Sequence, residues 1–212
     1  MSKELEVISE LRKGPMVQLT RGEMDHCINQ AVMKDAWSRA VGIRDEVGDK
    51  PLHFLTPSMI GIMGELAVAK YFNLFPDLEW GLKNNHKHYD LETTKKVRLE
   101  IKTTTQMGKN IIPVKAKYKP GHKGVELFSD EIVWVKMEVR RPIYDPLANE
   151  TKFENLVVPN FYLVGRMDEK TFRENRTVTT KRKDGLPKYW GIHQSHCRSL
   201  FPIGLYGEGA RT

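Results

Sequence analysis

The sequence predicts an α/β fold: a mixed central β-sheet flanked by helices, with an N-terminal helical extension over residues 1–50 and a main domain over 51–212. Two stretches with apolar residues at helical spacing come first, several short runs of alternating apolar residues follow, and both signals mix toward the C-terminus. At 212 residues the chain has the length for one such domain with an appendage.

Thr20-Arg-Gly-Glu23 is a capping-box pattern, and after it Met24, Cys27, Ile28, Ala31 and Val32 recur at helical spacing. A helix is therefore expected from residue 21 into the mid-40s, stopped by Gly48 and Pro51. The second helix starts near Ser58, carries Met59, Met63, Leu66, Ala67 and Tyr71 as an apolar stripe, and ends by Pro76. Glu65 sits inside it. Gly61, one turn earlier on the same face, and Gly64 beside it weaken a helix, which implies that something packs closely there.

Strands are expected at 78–82, around "HYDLE" (88–92), over "VRLEIKTT" (97–104), at 131–139 and at 161–167. Between the third and fourth of these, residues 106–124 read as a basic, glycine-containing loop. Asp168 is placed to cap a short helix, "EKTFREN", and "TVTTKRKDGLPKYWGI" (177–192) reads as a hairpin turning at Asp184-Gly185 with a basic tip.

Composition narrows the function classes. No long uncharged apolar run or secretory leader is present, so a cytoplasmic, intracellular protein without membrane contact is expected. Cys27 and Cys197 form no paired spacing and read as reduced and structural. A net charge of +7 favours partners rich in phosphate. There is no phosphate-cradling G-x-x-x-x-G-K-S/T loop, no G-x-G-x-x-G and no G-x-S-x-G elbow.

The informative chemistry lies in "RLEIKT". Leu99 and Ile101 alternate with Arg98, Glu100 and Lys102, so Glu100 and Lys102 project together from the face opposite the apolar pair. A hairpin through "TTKK" brings Asp90 beside Glu100. Two carboxylates so close repel unless they are protonated or bridged by a cation, and magnesium would take an oxygen from each, with the Ile101 carbonyl as a further ligand. Lys102 beside them can orient water or stabilise charge developing on a phosphate. The competing reading is an ordinary solvated strand face; Glu92, on the same strand face as Asp90, is either a supplementary ligand or one more solvated carboxylate. A transition-metal site from His86, His88, His193, His196 and Cys197 lacks a closed zinc spacing.

Gly61-x-x-Gly64-Glu65-Leu-Ala-Val-Ala-Lys-Tyr-Phe upstream of Asp90-x9-Glu100-x-Lys102 resembles the PD-(D/E)xK nuclease superfamily, over about residues 58–139. Tyr89 stands where that family often has proline. The resemblance implies a restriction-endonuclease-like core, Asp90, Glu100, Glu65 and the Ile101 carbonyl as metal ligands, and Lys102 as the catalytic lysine. It implies a magnesium-dependent nuclease, with manganese substituting, that hydrolyses phosphodiesters in DNA as an endonuclease of low sequence specificity or a structure-selective one. An exonuclease, an inactive nucleic-acid-binding relative and an RNA substrate stand as alternatives. A homodimer joined through the N-terminal helix is a further expectation from the family.

The substrate contacts expected from charge are Lys109, Lys115, Lys117, Lys119 and Lys123 around Tyr118, and the hairpin tip Lys181, Arg182 and Lys183, with Tyr189 and Trp190 behind it. Lysines that only solubilise a loop are the alternative.

Overall fold

A computed structural model describes residues 15–40, 57–74, 89–105, 111–115, 129–138, 158–181, 187–193 and 197. The expected strand at 78–82, the end of the first helix beyond residue 40 and the hairpin tip at 182–186 lie outside these residues.

Helix α1, Arg21–Ala40, begins with the capping box formed in both directions. The Thr20 amide donates to Glu23 Oε2 at 2.6 Å, and the Glu23 amide donates to Thr20 Oγ1 at 3.2 Å. Its inner stripe of Met24, Cys27, Ile28 and Ala31 is buried, whereas Val32, Met33 and Trp37 stay exposed. Helix α2, Pro57–Phe72, opens on proline at its first position, where no amide partner is needed. It closes one turn before Pro76, because Asn73 adopts a left-handed φ of 52° and the Leu74 amide returns to the Ala69 carbonyl at 2.8 Å. Lys70 of α2 pairs with Glu23 at 2.7 Å and donates to the Gln18 carbonyl at 3.2 Å, fastening the two helices together.

The strands are β1 (Met16–Gln18), β2 (Leu91–Glu92), β3 (Arg98–Thr104), β4 (Ile111–Lys115), β5 (Glu131–Glu138), β6 (Asn160–Asp168), β7 (Thr177–Lys181) and β8 (Pro187–His193). Between β6 and β7 lies helix α3, Glu169–Asn175, capped by Asp168, whose side chain accepts from the Thr171 amide at 2.7 Å. Two strands were not expected. β1 is three residues long, too short to show a period. β4 falls in the stretch that reads as a loop; Pro113 argues against a strand interior, and β4 tolerates it because it is an edge strand.

One sheet has five strands in the order β1-β6-β5-β3-β2, and the other has three, β4-β8-β7. In the larger sheet β3 and β5 run parallel and the other pairs are antiparallel, so it is mixed. Parallel pairing requires a crossover, which is the segment between Thr104 and Glu131.

The pleat sorts residues between two layers. Leu99, Ile101, Val133, Val135, Met137, Phe161 and Leu163 pack with the apolar stripes of α1 and α2. On the opposite face Ile132, Trp134 and Met167 pack with Phe172 of α3 and Ile192 of β8. A bulge opposite Trp134 and Val135 makes the change of phase in β6: Leu163 faces the helices, and Met167, an even number of residues later, faces the other way. The fold is thus a mixed sheet flanked by helices, and no described helix is long and apolar enough to cross a membrane.

Candidate functional site

β3 is an interior strand whose neighbour on one side nearly disappears. Two-residue β2 pairs only with Leu99 and Arg98, so among the described residues no strand continues along Ile101–Thr104 on that side. The hairpin turn between them is fixed by Thr93, whose amide donates to the Val97 carbonyl and whose hydroxyl accepts from the Val97 amide at 3.0 Å, with Lys96 in a left-handed φ of 64°. Continued by one position, the register sets Asp90 across from Glu100.

Where a partner strand would offer a carbonyl, Asp90 offers its side chain. The Ile101 amide donates to Asp90 Oδ2 at 2.6 Å, and the Asp90 amide donates to the Leu99 carbonyl at 2.8 Å. Glu100 and Lys102 leave β3 on the same face, and Lys102 Nζ meets Glu100 Oε1 at 2.6 Å. The Glu100 side chain is only 3% exposed and that of Lys102 27%, so this is not a solvated strand face.

Glu65 reaches the same region from α2. Burial works against the charge of Lys102, but Glu100, then Asp90, then Glu65 more than offset it and hold the ammonium above the ordinary lysine range. The approach of α2 depends on Gly64. A Cβ there would lie 1.8 Å from Thr103 Oγ1 and 2.8 Å from Thr103 Cβ, so only glycine lets the helix backbone meet β3 this closely. Gly61 is different: a Cβ at Gly61 would meet nothing nearer than Glu65 Oε1 at 3.9 Å, so close packing does not explain it.

The flanking residues have other work. Glu92 accepts from Lys96 at 2.8 Å and from the Tyr89 hydroxyl at 3.1 Å, which ties it to the turn. Arg98 and Asp130 form a two-pronged pair at 2.7 and 3.0 Å, and Asp130 also accepts from the Arg98 amide at 2.8 Å, joining the starts of β3 and β5. Arg166 and Glu131 form a buried ion pair across β5 and β6.

Of the expected substrate contacts, Lys115 ends β4 and Lys181 ends β7, while Lys109, Lys117, Lys119, Lys123, Arg182 and Lys183 lie outside the described residues. His86, His88 and His196 also lie outside them. Both cysteines are free thiols, and burial pushes each up to about 12, with Glu65 and then Glu23 adding to the effect at Cys27.

Two residues were missed by sequence reasoning. Thr103 is one: its hydroxyl is buried under α2 and has no hydrogen-bond partner among the described residues. Lys136 is the other. It stands on β5 between Thr104 and Tyr162 in register, is fully buried, and holds Nζ 4.8 Å from the centroid of the Trp134 ring. Burial pushes its ammonium down to about 8. A lysine at the centre of "EIVWVKME" was the available signal.

No protein-family model matches this chain, and no curated protein matches it.

What the arrangement can do follows from its charges. Glu100, Asp90 and Glu65 each favour the charged form of Lys102, and carboxylates are the anionic donors that a divalent cation takes. The donors are all oxygen, which suits magnesium or manganese better than softer metals. Among the described residues no group of three or more histidine, cysteine, aspartate or glutamate side chains is placed to hold a metal ion. Magnesium does not require such a group, since it is commonly held by one or two carboxylates and keeps several waters. Asp90 and Glu100, with the Ile101 carbonyl next to Glu100 in sequence, therefore fit such an ion by charge and donor type.

Proposed function

We propose that this chain is a metal-dependent nuclease of the PD-(D/E)xK type, with a restriction-endonuclease-like core, that hydrolyses phosphodiester bonds in DNA inside the cell. The observation that carries the reading is the buried contact of Lys102 with Glu100, beside Asp90, whose carboxylate accepts from the Ile101 amide. A hairpin holding Asp90 and Glu100-x-Lys102, continued by a parallel strand across a crossover, supports it further.

In this reading Asp90, Glu100 and the Ile101 carbonyl would hold magnesium, for which manganese would substitute, with Glu65 as a further ligand directly or through water. Bound there, magnesium would supply charge neutralisation at the phosphate and a lowered pKa for water. The protein's own groups do the rest. Lys102 orients the attacking water and stabilises negative charge as it develops on the phosphate, and its contact with Glu100 fixes where the ammonium points. Asp90, pinned by the Ile101 amide, keeps its carboxylate at the Glu100–Ile101 peptide. Weakly specific or structure-selective internal cutting is the form of activity expected.

The test is incubation of purified protein with supercoiled plasmid and with single-stranded DNA, in magnesium, manganese or chelator, beside Asp90→Ala and Lys102→Ala. Metal-dependent nicking or degradation lost in both variants is expected. Binding without cutting of any substrate, in any metal, would overturn the reading in favour of a nucleic-acid-binding protein.

A further inference from the structure

Helix α2 is apolar almost throughout, and its few polar positions divide by face. Lys70 reaches toward α1 and β1, to Glu23 and the Gln18 carbonyl. Ser58, Gly61 and Glu65, spaced three and four residues apart, form one lane along the helix. All three are half-buried, whereas Met59, Ile62, Met63 and Ala67 are buried. At residue 61 the lane has no side chain.

Glycine is the weakest helix former after proline, so its place inside α2 has to be explained. Three common reasons fail. Among the described residues a Cβ at Gly61 would meet only Glu65 Oε1 at 3.9 Å, an ordinary contact, so close packing of the kind seen at Gly64 is absent. The backbone needs no left-handed φ there, and the residue caps neither end, since Ile60 and Ile62 continue the helix around it. The use of glycine that remains is to let a ligand approach the backbone.

The position of that ligand follows from the neighbours of Gly61. The Glu65 carboxylate folds back along α2 toward residue 61, so the bare surface adjoins it directly. Gly64 meets Thr103, and Glu65 and Lys102 are the residues next to these two in the chain, with Glu65 close enough to favour the charged form of Lys102. In the nuclease reading a phosphate is received here with a sugar on either side, and a sugar ring is far wider than a water molecule. We infer that Gly61 is the contact point of the DNA strand on helix α2, where the missing side chain lets a sugar of the bound strand lie against the helix backbone beside Glu65. A longer side chain at residue 61 would fill that space and lie over the carboxylate. The inference deepens the nuclease reading and rests on it for the identity of the ligand.

The experiment compares the wild type with Gly61→Ala and Gly61→Leu, neither of which changes charge. Alanine and leucine both favour helix over glycine, so each variant is expected to melt about 2–4 °C above the wild type. Manganese uptake is expected to be unchanged in both. Binding of labelled DNA, single-stranded and duplex, is measured by fluorescence anisotropy in calcium, which takes oxygen ligands as magnesium does. Gly61→Leu is expected to bind the form that the wild type prefers at least about 10-fold more weakly, with Gly61→Ala between the two. Wild-type DNA affinity in Gly61→Leu overturns the inference. So does melting below the wild type, which would mean that the protein itself fills the space, and so does loss of manganese uptake, which would assign the space to the ion. Cleavage of the same DNA in magnesium is scored separately. Cutting with unchanged affinity in Gly61→Leu removes the contact and keeps the nuclease, whereas weakened binding with no cutting by the wild type keeps the contact and removes the nuclease. A wild type that neither binds nor cuts DNA removes both.

Discussion

The two faces of β3 and β5 are made from the same strands and do opposite things. Toward α1 and α2 the strands present Leu99, Ile101, Val133, Val135 and Met137, with Gly64 closing the contact. On the other face, one residue further along, they present Glu100, Lys102, Trp134 and Lys136. The first face gives hydrophobic burial, which stabilises in proportion to area. The second takes charged groups out of water, and a buried ion pair is weak evidence of stabilisation and stronger evidence of use. The period-2 pleat thus lets one strand serve as core and as site.

Substitution on β3 gives the largest contrast between them. Leu99→Ala is expected to cost about 2–5 kcal/mol of stability by chemical denaturation, because it opens a cavity in the helix-facing core. Glu100→Gln, its neighbour, is expected to lower cleavage at least about 100-fold through the misplacement of Lys102, while costing less stability than Leu99→Ala. Similar stability losses from the two would break the distinction.

Gly64→Ala comes next. The added methyl meets Thr103 at 1.8 Å, and pushing α2 away from β3 is expected to cost about 1–3 kcal/mol and to lower cleavage by displacing Glu65. Adding Thr103→Ala removes the hydroxyl and methyl that the new Cβ strikes, so partial recovery of both is expected. A Gly64→Ala protein with wild-type melting and activity would mean that the helix is not set by this contact.

The sharpest sequence signals were those whose physics is local. Thr20 and Glu23 form their capping box, Asp168 caps its helix, and the alternation in "RLEIKT" sends Leu99 and Ile101 inward. Signals that depend on distant partners were weaker. Pro113 and the surrounding lysines masked β4, which exists because β8 offers it an edge. The bulge opposite Trp134, which changes the facing of β6, has no local mark. Gly64 was legible as a close approach, but Thr103 as the group approached was not.

Smaller effects sharpen the picture of the charged face. Lys136 has its ammonium pushed down to about 8 from an ordinary value of 10.5. The folded state therefore binds this proton less tightly than the unfolded state, and stability is expected to rise as pH increases from about 8 to 10.5. Lys136→Met should remove that rise and stabilise the protein at pH 7 by about 1–3 kcal/mol, read from denaturation curves across that range. Identical pH profiles for the two proteins would contradict the burial of this charge.

The smallest effect lies at Asp130, where the side-chain bond from Arg98 outweighs burial and lowers the carboxyl below its ordinary 3.8. Its contribution is present above pH 3.8 and is lost as pH falls through the lower folded value. Asp130→Asn is expected to flatten the acid limb of the stability profile below about pH 4, by less than about 1 kcal/mol because the pair is largely exposed.

The central claim, that Asp90 and Glu100 beside Lys102 receive a divalent cation, is tested most directly by manganese binding. Free manganese is followed by electron paramagnetic resonance during titration of the wild type, Asp90→Asn and Glu100→Gln. Uptake of manganese by the wild type, competed by magnesium and strongly weakened in both variants, is the expected result. No uptake by a folded wild type, or uptake indifferent to both substitutions, would contradict the account.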